Sequence, residues 1–196
     1  MPPSPDRDAG VRTLVLGGIR SGKSDWAEST MAAAGRVRYI ATGPSADGEP
    51  TWARRVDEHR RRRPAGWHTV ETRDLAAELR ATPDQATLVD DLGCWLTAVL
   101  DRRGWDAALS DADADPDTDP DPDTDVAELL AAVGAFTAPL TLVSPEVGLT
   151  VVPATAAGRV FADELGLLNR QLAALCDQVV LVVAGQPLWV KPSAVR

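Results

Sequence analysis

The chain has 196 residues, 44% of them hydrophobic, which fits one globular domain with a core of its own. Its formal net charge of −9 argues against a nucleic-acid partner. No apolar run approaches the roughly 18 residues of a membrane helix, so stable membrane insertion is not expected.

The N-terminal residues 1–10 contain Pro and Asp and lack the apolar core of a signal peptide. They read as a disordered tail on a cytoplasmic chain, with residues 11–196 forming the single domain. The first strand is the apolar run Thr13–Leu16, and directly after it comes Gly17-Gly18-Ile19-Arg20-Ser21-Gly22-Lys23-Ser24. This octapeptide satisfies G-x-x-x-x-G-K-[ST] and precedes a helical stretch, Ser24–Ala34, ended by Gly35. Glycines at these positions let backbone amides close around phosphate oxygens, and the helix turns the positive end of its dipole on the same anion. Lys23 is expected to reach the β and γ phosphates, and Ser24 to offer its hydroxyl to Mg²⁺.

A second strand, Val37–Ala41, is followed by a segment rich in Arg. Six arginines occupy the ten positions 54–63 and surround His59. Composition alone leaves two readings, a solvated helix end or a polyanion site, since Arg suits bidentate phosphate contact. Adjacent cations would keep an imidazole neutral and offset phosphate charge, so His59 could attack an α-phosphate. His68, without such neighbours, reads as structural.

Thr72–Ala81 reads as a helix and Thr87–Val89 as a strand that runs into Asp90-Asp91. An acidic residue at a strand end beside a phosphate loop holds Mg²⁺ or its water shell. The same pair could instead cap the next helix, Gly93–Arg102, and both roles can coexist.

Residues 106–125 contain nine aspartates and no Lys, Arg or Glu, and removing their charge brings the net of −9 to zero. With like charges, three prolines and little to bury, this segment reads as a disordered surface insertion. It lacks the Gly turn and closing Glu of a calcium loop. Beyond it come a helix, Val126–Phe136, a strand, Leu140–Val143, and a helix, Ala156–Cys176. Last come a strand Val179–Ala184, a turn Gly185-Gln186-Pro187 and a strand Leu188–Val190. Cys94 and Cys176 have no CxxC spacing and read as buried, inert thiols. Alternating strands and helices predict an α/β fold of the P-loop NTPase (RecA-like) kind, with a mostly parallel sheet flanked by helices and an antiparallel C-terminal edge hairpin.

Several segments together resemble the bifunctional adenosylcobinamide kinase and adenosylcobinamide-phosphate guanylyltransferase family of cobalamin biosynthesis. They are LVLGGIRSGKSDWAE, YIATG, ARRVDEHRRRRPAGWHTVE, LVDDLGCWLT, SPEVGLTVVP and GRVFADELGLLNRQLA followed by VVLVVAG. The resemblance covers most of the chain apart from the N-terminal tail and the acidic insertion. It implies phosphorylation of adenosylcobinamide with ATP or GTP, then GMP transfer from GTP to adenosylcobinamide phosphate. It implies that His59, five residues before Pro64, becomes guanylylated, with Lys23 as the other catalytic residue. Nucleotide contacts are implied for Gly17 to Ser24, Ala41, Thr42, Gly43, Arg60, Arg61, Arg62, Arg63, Glu71 and Asp90. Mg²⁺ is implied at Ser24 and Asp90, Asp91 and Glu146 are candidate bases, and a homo-oligomer, a trimer, is implied. The family's Asn before Glu-Val-Gly is Pro145 here, its strand-end acid, often Glu, is Asp90, and an Arg of its late helix is Ala162. Two other readings stand beside this one: a monofunctional P-loop kinase without a covalent nucleotide, and a nucleotide-dependent interaction module whose acidic insertion recruits a basic partner.

Overall fold

The computed structural model describes residues 10–43, 63–105 and 123–192. His59, Arg60, Arg61 and Arg62, together with residues 1–9 and 106–122, lie outside the described residues. The elements in chain order are β1 (Arg12–Gly17), α1 (Lys23–Met31), a short 3-10 turn (Ala32–Ala34), β2 (Arg38–Ala41), β3 (His68–Glu71) and α2 (Leu75–Ala81). They continue with β4 (Thr87–Asp90), α3 (Leu92–Arg102), α4 (Asp123–Gly134), β5 (Leu140–Pro145), α5 (Ala156–Leu175), β6 (Gln178–Val183) and β7 (Gln186–Lys191).

The strands form one sheet in the order β3-β2-β4-β5-β1-β6-β7, parallel throughout except for the β6–β7 edge pair. The central strands are apolar at consecutive positions because helices cover both faces. On one face Val15, Tyr39, Leu88, Val143, Val180 and Val182 meet Ala27 and Met31 of α1. On the other, Leu14, Ile40, Val89, Leu142 and Val179 pack under α2, α3, α4 and α5. Parallel pairing brings the carboxyl ends of β1, β2, β3, β4 and β5 to one edge. Gly17, Ala41, Glu71, Asp90 and Pro145 stand there, at the edge where open α/β sheets bind ligands.

Four features depart furthest from the sequence reading. β3 lacks an apolar run and buries no residue fully; its order comes from pairing with β2, Arg38 opposite His68 through Ala41 opposite Glu71. α2 begins at Leu75 rather than Thr72, because Asp74 caps it by accepting from the Ala77 amide while its own amide donates to Thr72 Oγ1. α4 begins at Asp123, inside the segment read as an insertion, and Asp125 pairs with Arg102 and Arg103 at 3.2 and 3.7 Å. The hairpin turn is only Ala184-Gly185, both at positive φ (49° and 77°), as two-residue hairpin turns favour. Pro187 therefore falls within β7, which it can do only because that strand is an edge.

Arg38 projects from β2 into the larger core and is 3% exposed. Its guanidinium donates to Thr87 Oγ1, to the Glu78 carbonyl and carboxylate, and to both the hydroxyl and carbonyl of Thr82. These bonds tie β2 and β4 to the end of α2. Arg38→Met keeps the aliphatic stem and orphans several acceptors. The loss expected is about 1.5–3 kcal/mol, seen in thermal denaturation as a Tm lower by about 3–12 °C at this chain length.

Candidate active site

The phosphate loop leaves β1 at Gly17 and enters α1 at Lys23. Its shape is set by the amide of Ser21 donating to the Gly18 carbonyl at 3.2 Å and by left-handed backbone at Arg20 (φ 56°) and Gly22 (φ 89°). Gly22 is the N-cap of α1 and offers no side chain, so no cap of its own stands between the first turn and a ligand. Gly18, Ile19 and Arg20 are exposed, and Ile19 is 91% accessible at the loop's apex.

The loop is held from behind. A Cβ on Gly17 would lie 2.3 Å from Ser21 Oγ and 2.8 Å from the Val182 carbonyl of β6. Gly185, in the hairpin turn, donates its amide to the Ser21 carbonyl at 2.8 Å, and the Glu146 amide donates to Gly17 O at 3.1 Å. Trp26 of α1 meets Trp189 of β7 edge to face, ring centroids 6.0 Å apart. The edge hairpin thus braces the phosphate loop, a role with no signal in the sequence beyond Gly185 itself.

At the floor of the site, Ser24 Oγ donates to Asp90 Oδ1 at 3.2 Å, reaching across β5, which separates β1 from β4. The other carboxylate oxygen accepts from the Tyr39 hydroxyl at 2.7 Å. Burial, with Asp90 beside it, pushes the Tyr39 phenol far above its usual range, so it stays a proton donor. The two adjacent aspartates divide their tasks. Asp91 caps α3 by accepting from the Cys94 amide at 2.8 Å, and Thr42 Oγ1 bonds both its amide and its carbonyl. Burial and then the Asp90 charge raise the Asp91 pKa, with Lys23 among the groups that oppose the shift. Glu146, the other candidate base, accepts from the Gly148 amide at 2.6 Å. Burial, with Asp91 and Asp90 adding to it, lifts the Cys94 thiol to about 12, and burial lifts Cys176 to about 12, so neither is a nucleophile at neutral pH.

Among the described residues, no cluster of three or more His, Cys, Asp or Glu could hold a metal by itself. The Ser24 hydroxyl and Asp90 carboxylate nonetheless fit Mg²⁺. This hard cation takes one or two protein oxygens and completes its octahedron with water and substrate phosphates.

Of the remaining sequence-predicted residues, Ala41, Thr42 and Gly43 leave the end of β2 beside Asp90, with Ala41 opposite both Asp90 and Glu71. Thr42 is buried and Glu71 is exposed at the end of β3. Arg63 lies under the fold rather than out in solvent. Its guanidinium carbon sits 3.3 Å above the Tyr39 ring centroid, Nη1 donates to Thr69 Oγ1 at 2.9 Å, and Nε lies 4.0 Å from Glu28 Oε1 of α1. Pro145, standing where the resemblance has Asn, is opposite Gly17 and would meet any Cβ on Gly93. Behind it the buried Asn169 accepts from Ser144 Oγ and donates to the Pro145 carbonyl. Ala162 is half-buried on α5. Tyr39 was missed by sequence reasoning. The signal available was the one tyrosine of the chain, placed in a buried strand.

A family model described as cobinamide kinase / cobinamide phosphate guanyltransferase matches residues 13–190. The chain is 41% identical over 185 residues to the bifunctional adenosylcobalamin biosynthesis protein CobP of Pseudomonas aeruginosa, covering 92% of this chain and 98% of that one. It is 35% identical over 181 residues to the bifunctional adenosylcobalamin biosynthesis protein CobU of Escherichia coli, covering 91% and 98%. Among solved structures, the assembled ATPase EscN of the enteropathogenic E. coli type III secretion system superposes with a TM-score of 0.51 at 13% identity. That superposition covers 94% of this chain and 47% of the other, so the chain spans about half its length, and the likeness bears on the fold alone.

Proposed function

Because this chain belongs to the cobinamide kinase / cobinamide phosphate guanyltransferase family, a family of transferases, we propose that it carries out both reactions from one phosphate loop. The first transfers the γ-phosphoryl group of ATP or GTP to the hydroxyl of adenosylcobinamide. The second transfers GMP from GTP to the resulting phosphate, giving adenosylcobinamide-GDP. The observation that carries the reading is the contact of Ser24 with Asp90 beneath an intact loop, the pairing a triphosphate-transferring P-loop site requires.

In the kinase step, the amides of Gly18 to Ser24 and the Lys23 ammonium balance the charge that spreads over the transferring group. Ser24 and Asp90 would hold Mg²⁺, which would supply further neutralisation of the triphosphate's charge. Ala41 to Gly43 and Glu71 share the ligand edge of the sheet, which supports their assignment to the nucleotide.

In the guanylyl step, an imidazole nitrogen of His59 attacks the α-phosphorus of GTP. An N–P bond forms, the bond to the bridging oxygen breaks, and pyrophosphate leaves with its electron pair. An oxygen of adenosylcobinamide phosphate then displaces histidine from that phosphorus. Arginines 60 to 62 offset the accumulated charge, and Arg63 anchors the end of their segment on the face that carries α1.

The test is incubation with Mg²⁺ and GTP labelled at either the α or the γ phosphate, followed by denaturing electrophoresis. Retained label should come from the α position alone, survive base, be lost in acid and be absent in His59→Ala. That variant should still phosphorylate adenosylcobinamide. If GTP binds and no label is retained, the covalent step is wrong and a kinase without a nucleotide intermediate replaces it.

A further inference from the structure

We propose that Tyr39 is a positioning residue of the kinase metal site: its hydroxyl holds one oxygen of Asp90 so that the other faces Ser24 at the foot of the phosphate loop. The inference rests on the reading of Ser24 and Asp90 as the Mg²⁺ site and adds a residue that no part of that reading requires.

Tyr39 and Asp90 come to the same face of the sheet through the β2–β4 register, in which Ala41 stands opposite Asp90 and Tyr39 opposite Leu88. The phenol is 2% exposed and reaches past Ala41 to Asp90 Oδ2 at 2.7 Å. A carboxylate free at both oxygens turns about its last bond; one with Oδ2 pinned presents Oδ1 in a fixed direction. That direction is the Ser24 hydroxyl, 3.2 Å away. Hydrogen bonds to the outer oxygen of a metal carboxylate fix its orientation in the same way that the partners of ligating histidines fix theirs.

The ring itself is held on two sides. Arg63 stacks over it at 3.3 Å, and Trp67 lies 6.2 Å away at a tilt of 33°. Arg63 is in turn anchored by Thr69 and lies beside the buried Glu28 of the phosphate-loop helix. Phenylalanine would fill this space equally well, so packing alone does not account for the hydroxyl. Arg63 follows His59 by four residues. The Tyr39 ring is therefore a point where the end of the histidine-bearing segment touches the support of the metal carboxylate.

Tyr39 is the one tyrosine of the chain, so protein labelled with 3-fluorotyrosine carries a single ¹⁹F resonance that reports this site without any substitution. GTP added in EDTA should leave that resonance in place, and Mg²⁺ added next should move it. Tyr39→Phe should raise the Mg²⁺ concentration for half-maximal nucleotide binding about 10-fold, with affinity in EDTA unchanged. Asp90→Asn should raise it at least as far. If Asp90→Asn raises the Mg²⁺ requirement while the ¹⁹F signal ignores Mg²⁺ and Tyr39→Phe behaves as wild type, Tyr39 only packs and the inference is overturned. If Asp90→Asn also leaves the requirement unchanged, the metal reading falls and the inference with it.

Discussion

Lys23→Ala should fold normally and lose about 10²–10³-fold in kcat/KM for phosphorylation of adenosylcobinamide, the cost of removing one preorganised charge from a transition state. Lys23 opens α1 directly after the left-handed Gly22, so its ammonium rises from the same turn as the first amides of the helix. It also opposes the negative charge of the Asp90–Asp91 pair, and its removal leaves that pair less balanced. On the proposed reading guanylylation should fall as well, since both reactions would draw on a triphosphate in the same loop. Lys23→Arg should not restore either rate, since a planar fork cannot take the place of a compact ammonium. Steady-state rates with ATP and with GTP, on protein checked by circular dichroism, decide it. A Lys23→Ala enzyme with wild-type kcat/KM would remove the loop from phosphoryl transfer.

Gly17→Ala should deform the phosphate loop itself. The added methyl would stand 2.3 Å from Ser21 Oγ and 2.8 Å from a β6 carbonyl, the second of which is backbone and cannot swing aside. Relief requires shifting β1 from β6 or reshaping the loop. Overpacking of this kind costs about 1–3 kcal/mol, a Tm drop of about 2–12 °C at this size, and nucleotide affinity should fall with it. Gly18→Ala is the matched control, because nothing lies within 4 Å of its added Cβ. Equal Tm for the two variants would refute the account of the braced loop.

The parts of the molecule legible in the sequence are those written in local chemistry. The strand, loop and helix of Thr13 to Ala34 declare themselves because a buried strand needs an unbroken apolar run and a phosphate loop needs glycines and a lysine at fixed spacing. The Asp90-Asp91 pair could be placed at a strand end, and both roles considered for it are consistent with the geometry: Asp91 caps α3 and Asp90 faces Ser24. β3 escaped notice because a half-exposed edge strand buries too little to need a hydrophobic signature. The start of α4 was hidden because Asp123 to Asp125 resemble the repeats before them, and the pairing of Asp125 with Arg102 and Arg103, more than twenty residues back, is a tertiary contact. Arg63 reads in sequence as one more phosphate-seeking cation of its run, and only tertiary packing reveals it stacked on Tyr39. The hairpin brace on the loop is of the same kind, a contact between residues 21 and 185 that no local pattern announces.

β1 has its pairing partners, β5 and β6, in the last third of the chain. During synthesis the phosphate-binding sequence is made well before the neighbours of its strand, since β5 starts only at residue 140, and the turn that secures Ser21 comes only at Gly185. Nucleotide therefore cannot act as an early folding template for this enzyme. A nascent or truncated chain stopping short of that hairpin carries the whole motif without the β6 pairing and the Gly185 contact that shape it, so nucleotide capture should follow the making of the hairpin.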